Sequence, residues 1–306
     1  MSTMRIAITA LIAFFLSALA QAQPCLLAAS EVAPVLSTET RSLYEKNLTI
    51  AEAVHLDKPN EADSILWLGR RMGYLGRYKD AVRVFSSGLV LHKTDPRFYR
   101  HRGHRYITLR CFDDAIRDLE MAAKLVAGKP DEIEPDGIPN AKNIPTSTLQ
   151  SNIWYHLGLA YYLKADLKNA LRAYEEAQKV STNNDMRVAT SYWHYMTLRR
   201  LGKKKEAKKV LEPFAGKSEL IENDEYLKLI RLNRGELKRD LLLSQISDAS
   251  SLASASLGYG IGNYFLYNGD REKAMTIFRT IVAGNQWSSF GFIAAETELM
   301  RHSTRN

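Results

Sequence analysis

Trp154–Ala177 reads WYHLGLAYYLKADLKNALRAYEEA, two amphipathic helices joined by a tight turn near Ala165–Asp166. In the first, Trp154, Leu157, Gly158 and Tyr161 recur at three- and four-residue steps and share one helical face. In the second, Ala170, Tyr174 and Ala177 form another apolar stripe by the same spacing. Small residues at Gly158 and Ala170 leave room for a close crossing, and Trp154, Tyr161 and Tyr174 fill the space around it.

The unit recurs upstream at a fixed period. Gly69 and Gly103 are 34 positions apart, as are Ala81 and Ala115, while Phe85/Leu119 and Ile65/Tyr99 keep the same register. A helix-turn-helix of this period, with small residues at its eighth and twentieth positions, resembles the tetratricopeptide repeat (TPR) family. Trp154, Leu157, Gly158, Tyr161, Ala170, Tyr174 and Ala177 match nearly its whole signature, and only the terminal Pro is missing. The resemblance implies an all-α fold, a right-handed superhelical solenoid of about six helical hairpins with terminal capping helices. It also implies a scaffold without cofactors that binds a protein or peptide, rather than an enzyme. The order of units, ending in NYFLYNGDREKA, is also similar to bacterial envelope TPR lipoproteins that scaffold cell-wall hydrolases.

Composition agrees with a globular chain: 306 residues, 45% hydrophobic, 25% charged, with a formal charge of +8 that invites an anionic partner without naming one. The start resembles an export signal. Arg5 precedes the uncharged apolar run Ile6–Leu19, and Ala18-Leu19-Ala20 or Ala20-Gln21-Ala22 offers small residues for cleavage. Residues 1–22 therefore read as a signal peptide, with no stable membrane span after its removal and a periplasmic or secreted location. Ala22-Gln23-Pro24 departs from a lipobox, so lipidation at Cys25 is not expected. Cys25 and Cys111 are the two cysteines. An oxidising compartment would join them, and a buried Cys111 with a dispensable Cys25 is the alternative.

Residues 23–60 read as an extended leader followed by an N-capping helix, begun at Thr38 or Thr40, with Leu43, Tyr44, Leu48 and Ala51 on its apolar side. The solenoid then covers 61–302. Its period breaks once: Gly103 to Gly158 is 55 positions, an excess of 21. The excess is the insertion at 128–149, GKPDEIEPDGIPNAKNIPTSTL, whose four prolines exclude a helix. Farther on, Met186–Glu222 forms a fourth unit, 222–233 and 236–247 a degenerate fifth, and Gly262–Phe278 the core of the last. Trp287–Arg301 reads as a closing helix that caps the end.

Family geometry places certain first-helix positions on the concave face. Reading them here gives a groove of Arg70, Tyr74, Arg97, Arg100, His104, Asn152, Tyr155, Tyr162, Tyr192, Met196, Arg199, Arg200, Tyr259 and Asn263. Tyrosine offers large area with a polar tip, and arginine binds carboxylates in a fork, so the surface suits a protein segment that is acidic or ends in its carboxylate. About half of the tyrosines, with Met196, are equally explained as packing between adjacent helices. The family's Lys/Asn carboxylate clamp is not reproduced. His101 and His104 sit three apart, as metal ligands can, but no Cys or Glu accompanies them, and they read as polar groove residues with no metal. No nucleophile elbow, phosphate loop or HExxH is present, so no catalytic residue is assigned. Export and dispersed basic residues argue against nucleic acid. The rival reading is a carbohydrate or cell-wall-fragment binder, more distantly a cryptic hydrolase.

The insertion carries acids at Asp131, Glu132, Glu134 and Asp136, opposite a groove with Arg97, Arg100, Arg199 and Arg200. The sequence predicts either a lid over the groove, anchored by Ile138, Pro139, Ile144 and Pro145, or a disordered surface loop.

Overall fold

The computed structural model describes residues 24–216, 219–238, 240, 242 and 252–303. The expected signal peptide lies outside these residues, as does most of the helix expected at 236–247. The described chain is all-α. Helix α1 spans Pro24–Ala28, α2 Thr38–Asp57, α3 Ala62–Tyr74, α4 Tyr78–Leu91, α5 Pro96–Thr108, α6 Phe112–Val126 and α7 Leu149–Leu163. Helix α8 follows at Leu167–Val180, α9 at Asn184–Arg200, α10 at Lys204–Leu211, α11 at Asp224–Arg234, α12 at Leu252–Tyr267, α13 at Arg271–Val282 and α14 at Phe290–Ser303.

From α2 onward each helix packs on its successor, and first helices also touch the next first helix, as in α3 on α5 and α5 on α7. The small positions do the work their spacing implies. A Cβ at Gly158 would come within 2.7 Å of the Tyr174 ring, and one at Gly69 within 2.4 Å of Phe85. Gly158→Leu is therefore expected to overpack the α7–α8 crossing and cost about 1–3 kcal/mol, read as a lower midpoint in urea unfolding. An unchanged midpoint would mean that Tyr174 is free to swing away.

A second repeat signal lies in the turns. Gly76, Arg110, Ala165, Gly202 and Gly269 occupy equivalent places between paired helices, and all have positive φ, from 63° to 92°. Glycine adopts this conformation at no steric cost, whereas arginine at φ 63° carries strain. The Arg110 side chain supplies the reason. Its guanidinium lies 3.9 Å from the Trp287 ring centroid, pairs with Glu296 at 2.7 Å and donates to the Trp287 carbonyl at 2.9 Å.

Those contacts correct the expectation for the closing helix. Besides capping the last hairpin, α14 packs on α7. Trp287 stacks on Tyr78, and Phe290 lies among His104, Tyr155 and His156. Glu298 accepts from Arg200 at 2.7 Å and from Arg301 at 2.8 Å, and Arg301 also donates to the Leu163 carbonyl. The C-terminal helix thus closes the array onto its second and third hairpins.

The N-terminal segment is likewise held. Cys25 and Cys111 form a disulfide, so of the two sequence alternatives the bridge is the one present. Glu31 accepts from the Lys79 backbone N–H at 2.7 Å. The cap of α2 is Ser37, whose hydroxyl accepts from Thr40 N–H, rather than Thr38 or Thr40. Leu48 and Ala51 are buried, but Leu43 faces solvent.

Candidate functional site

The expected groove residues, Arg97 aside, fall into three groups. Tyr162, Tyr192, Met196, Tyr259 and Asn263 are buried in the interior. Tyr162 and Tyr259 are joined by a hydroxyl–hydroxyl hydrogen bond of 3.0 Å, the Tyr192 hydroxyl donates to the Gly260 carbonyl, and Asn263 donates to the Met196 sulfur. They are a packed seam between α7, α9 and α12, so the reading of them as ligand contacts is corrected: their large side chains fill the space that would have been groove.

The second group is engaged by the C-terminal third of the chain. Arg200 pairs with Glu298, and Arg199 donates to the Tyr195 hydroxyl at 2.6 Å and to the Tyr267 carbonyl at 3.2 Å. Tyr155 meets Phe290 and Tyr226. Arg199 and Arg200 were expected to attract the acidic insertion, and neither does so. Arg97 is held by Asp95 and Asp63 at the edge of α5.

The third group, Arg70, Tyr74, Arg100, His104 and Asn152, comes together with Arg105 and His101 around a cavity of about 200 Å³. The insertion covers it. Arg70 Nη2 donates to the Pro135 carbonyl and Arg71 Nη1 to the Gly137 carbonyl, each at 2.7 Å. Glu134 Oε1 pairs with Arg100 Nη2 at 2.9 Å, with both side chains about nine-tenths buried. Gly137 is needed for this fit, because a Cβ there would collide with the Tyr74 hydroxyl. Both ends of the insertion are stapled. An isolated antiparallel bridge joins Ile133 to Thr148, the Leu149 N–H donates to the Glu132 carbonyl at 2.8 Å, and Thr146 bonds Glu222 and Asn183.

The apolar anchors expected for this segment do not serve. Ile138 is 52% exposed and Ile144 49% exposed. Backbone carbonyls held by arginines replace them, because Arg70 and Arg71 project from α3 toward the loop and a proline-rich backbone leaves carbonyls free to accept.

The histidines beneath the arginines are neutral. Burial first, and the neighbouring Arg100 next, push the His101 and His156 imidazoles well below the ordinary histidine range; for His104 burial and Arg105 do so. Their bonds fit that state. Arg100 Nη1 donates to His101 Nδ1 at 3.0 Å, Arg105 Nη2 donates to His104 Nε2 at 2.9 Å, and His156 Nδ1 donates to the Asn152 carbonyl at 2.6 Å. With arginine donors on these nitrogens, His101 and His104 are poor candidates for a shared metal ion. The one cluster of metal-ligand side chains among the described residues is Cys25, Cys111 and Asp114, and both thiols there are consumed by the disulfide.

Residues 151–184, which are α7, α8 and the start of α9, match the tetratricopeptide repeat family model. That stretch is a tetratricopeptide repeat (TPR) unit. No curated protein matches the chain. Among solved structures, the all-α fold is similar to that of YrrB, a TPR protein with an unusual peptide-binding site, at 14% identity and a TM-score of 0.42, over 84% of this chain and 98% of that one. It is also similar to MamA, at 17% identity and a TM-score of 0.44, over 65% and 95%. Naa15/Naa10 bound to HypK-THB matches at 15% identity and a TM-score of 0.37, over 85% of this chain and 39% of that one. Among the described residues no helix is long and apolar enough to cross a membrane.

The sequence reading missed Arg105 and Arg71 as site residues, and it missed Trp287, Phe290, Glu296 and Glu298 as contacts of Tyr78, His104, Arg110, Tyr155, His156 and Arg200. One signal was present for the latter. Arg110 stands where three of the other turns have glycine, and a residue that costs strain at a turn points to a side chain with a partner elsewhere.

Proposed function

We propose that this protein is an exported TPR adaptor that binds a protein segment on the concave face of its first two hairpins, at the basic patch now covered by the insertion. A protein-binding scaffold is what the fold supports in general. The observation that carries the finer reading is the Arg100–Glu134 pair: a carboxylate from an extended, proline-rich stretch of backbone is seated on the basic patch as a partner's acidic side chain or C-terminus would be. Arg70 and Arg71 hold backbone carbonyls of the same stretch, the way a peptide main chain is held. The Cys25–Cys111 disulfide and the apolar N-terminus support export to an oxidising compartment.

Replacing Lys129–Ile144 with a short Gly/Ser linker tests this reading. The shortened protein is expected to capture acidic peptides from an immobilised pool at least tenfold more strongly than the parent, because the competing intramolecular carboxylate is gone. Arg70→Glu in the shortened protein should abolish the gain. Equal capture by parent and shortened protein would remove the insertion from the binding reaction.

A further inference from the structure

The covered cavity has features that a displaced loop does not explain. Arg100 and Glu134 pair through Nη2 and Oε1, yet Arg100 Nε and Glu134 Oε2 are buried with no hydrogen-bond partner. Both residues line the cavity. One orphan is a donor and the other an acceptor, and a buried polar group left without a partner is destabilising. Both atoms are shut off from water behind the Arg100–Glu134 contact, so a ligand reaches them by entering between the two side chains, where it finds one unused donor and one unused acceptor.

Charge narrows the choice. Arg70, Arg100 and Arg105 face Glu134 and Asp136 across the cavity, a balance of one positive charge with the histidines neutral. A simple carboxylate would balance it but has no donor for Glu134 Oε2. An uncharged sugar would supply donors but leave the charge. The lining is also polar, with Tyr74, Ser147 and Asn152 beside the charged groups, unlike the mostly apolar pockets that hold drug-like ligands. About 200 Å³ suits one small ring.

We infer that the cavity between α3, α5 and the insertion is a binding site for a sugar acid: one carboxylate for the arginines and vicinal hydroxyls for Glu134 and Asp136. This goes beyond the adaptor reading, since it concerns a small molecule bound while the insertion is closed. The ligand bridges Arg100 and Glu134, so its binding tightens the closed insertion. The same chemistry is present in a free sugar acid and in the end unit of an acidic glycan.

Calorimetric titration of the full exported chain with glucuronate, glucose and acetate tests the site, with a glucuronate-terminated disaccharide as a fourth arm. Glucuronate is expected to bind at least tenfold more tightly than either glucose or acetate. It should also slow tryptic cleavage at the exposed Lys142. The disaccharide binding as well as the monosaccharide assigns the site to glycan ends, and failure of the disaccharide alone assigns it to free sugar acids. The Arg100→Gln/Glu134→Gln double variant, which retains shape without the ion pair, should lose glucuronate binding at least tenfold at an unchanged circular-dichroism spectrum. Acetate binding equal to glucuronate would reduce the site to a simple anion site and overturn the inference. Absence of glucuronate binding would overturn it too, leaving the orphan atoms to water. Peptide capture by the shortened protein is independent of these outcomes, so the adaptor reading and this one fail separately.

Discussion

Glu298→Ala is expected to destabilise the protein by about 3–5 kcal/mol, the cost of removing one partner from a buried ion pair. Glu298 is 2% exposed and accepts from both Arg200 and Arg301. Arg200 lies over the Tyr162 ring in the seam between α7 and α12 and reaches little water, so its charge would be left uncompensated. Burial is what separates this pair from surface ones. Lys58 and Glu61 form an ion pair at 3.4 Å with both side chains at least half exposed, and Glu61→Ala should change stability by no more than about 0.5 kcal/mol. The consequence extends beyond a number. In an open repeat array each unit depends on its neighbours alone, whereas here α14 joins the last hairpin to the second and third. Urea unfolding followed by tryptophan fluorescence should show one transition for the parent and two for the variant. A single transition with an unshifted midpoint would mean that closure by α14 contributes nothing to stability.

The second large effect is acid sensitivity. His101 and His156 are buried and neutral, with burial as the main cause and Arg100 as the next. Their folded-state values lie well below the ordinary 6.5, so the unfolded chain binds protons first as pH falls. Their contribution is fully present above about pH 6.5 and is lost progressively below it. While the folded imidazoles stay neutral, each histidine removes about 1 kcal/mol of stability between pH 6.5 and 5.5, so the pair removes about 2 kcal/mol over that unit, and the slope steepens toward about 1.4 kcal/mol per histidine per pH unit below it. Differential scanning calorimetry across pH 8 to 5 should therefore show a flat melting temperature and then a steep fall. His101→Gln/His156→Gln should make the lower limb shallower, leaving the part due to His104. A parent melting temperature constant down to pH 5 would place both imidazoles in contact with water.

The sequence by itself determined the repeating unit. Gly69, Gly103 and Gly158 each sit where a Cβ would meet the side chain sixteen residues on, Phe85, Leu119 or Tyr174. That constraint is local, a close crossing within one hairpin, and a 34-residue period states it directly. The excess of 21 residues announced the insertion for the same reason, since prolines forbid the helix that would have continued the period.

What the tertiary structure decided is everything that depends on how far the array curls. Whether Tyr162, Tyr192, Tyr259 and Asn263 line a groove or a seam follows from the distance between α7 and α12, and no period fixes that distance. Here it is short enough for Tyr162 and Tyr259 to touch through their hydroxyls. The partners of the arginines were hidden in the same way. Arg100 finds Glu134 at a separation of 34 residues and Arg200 finds Glu298 at 98, and long side chains meeting across a curved surface leave no spacing rule in the chain. Local packing is written in the order of residues. Long-range pairing is a sum of many small helix-to-helix rotations, and it exists only once the array has folded.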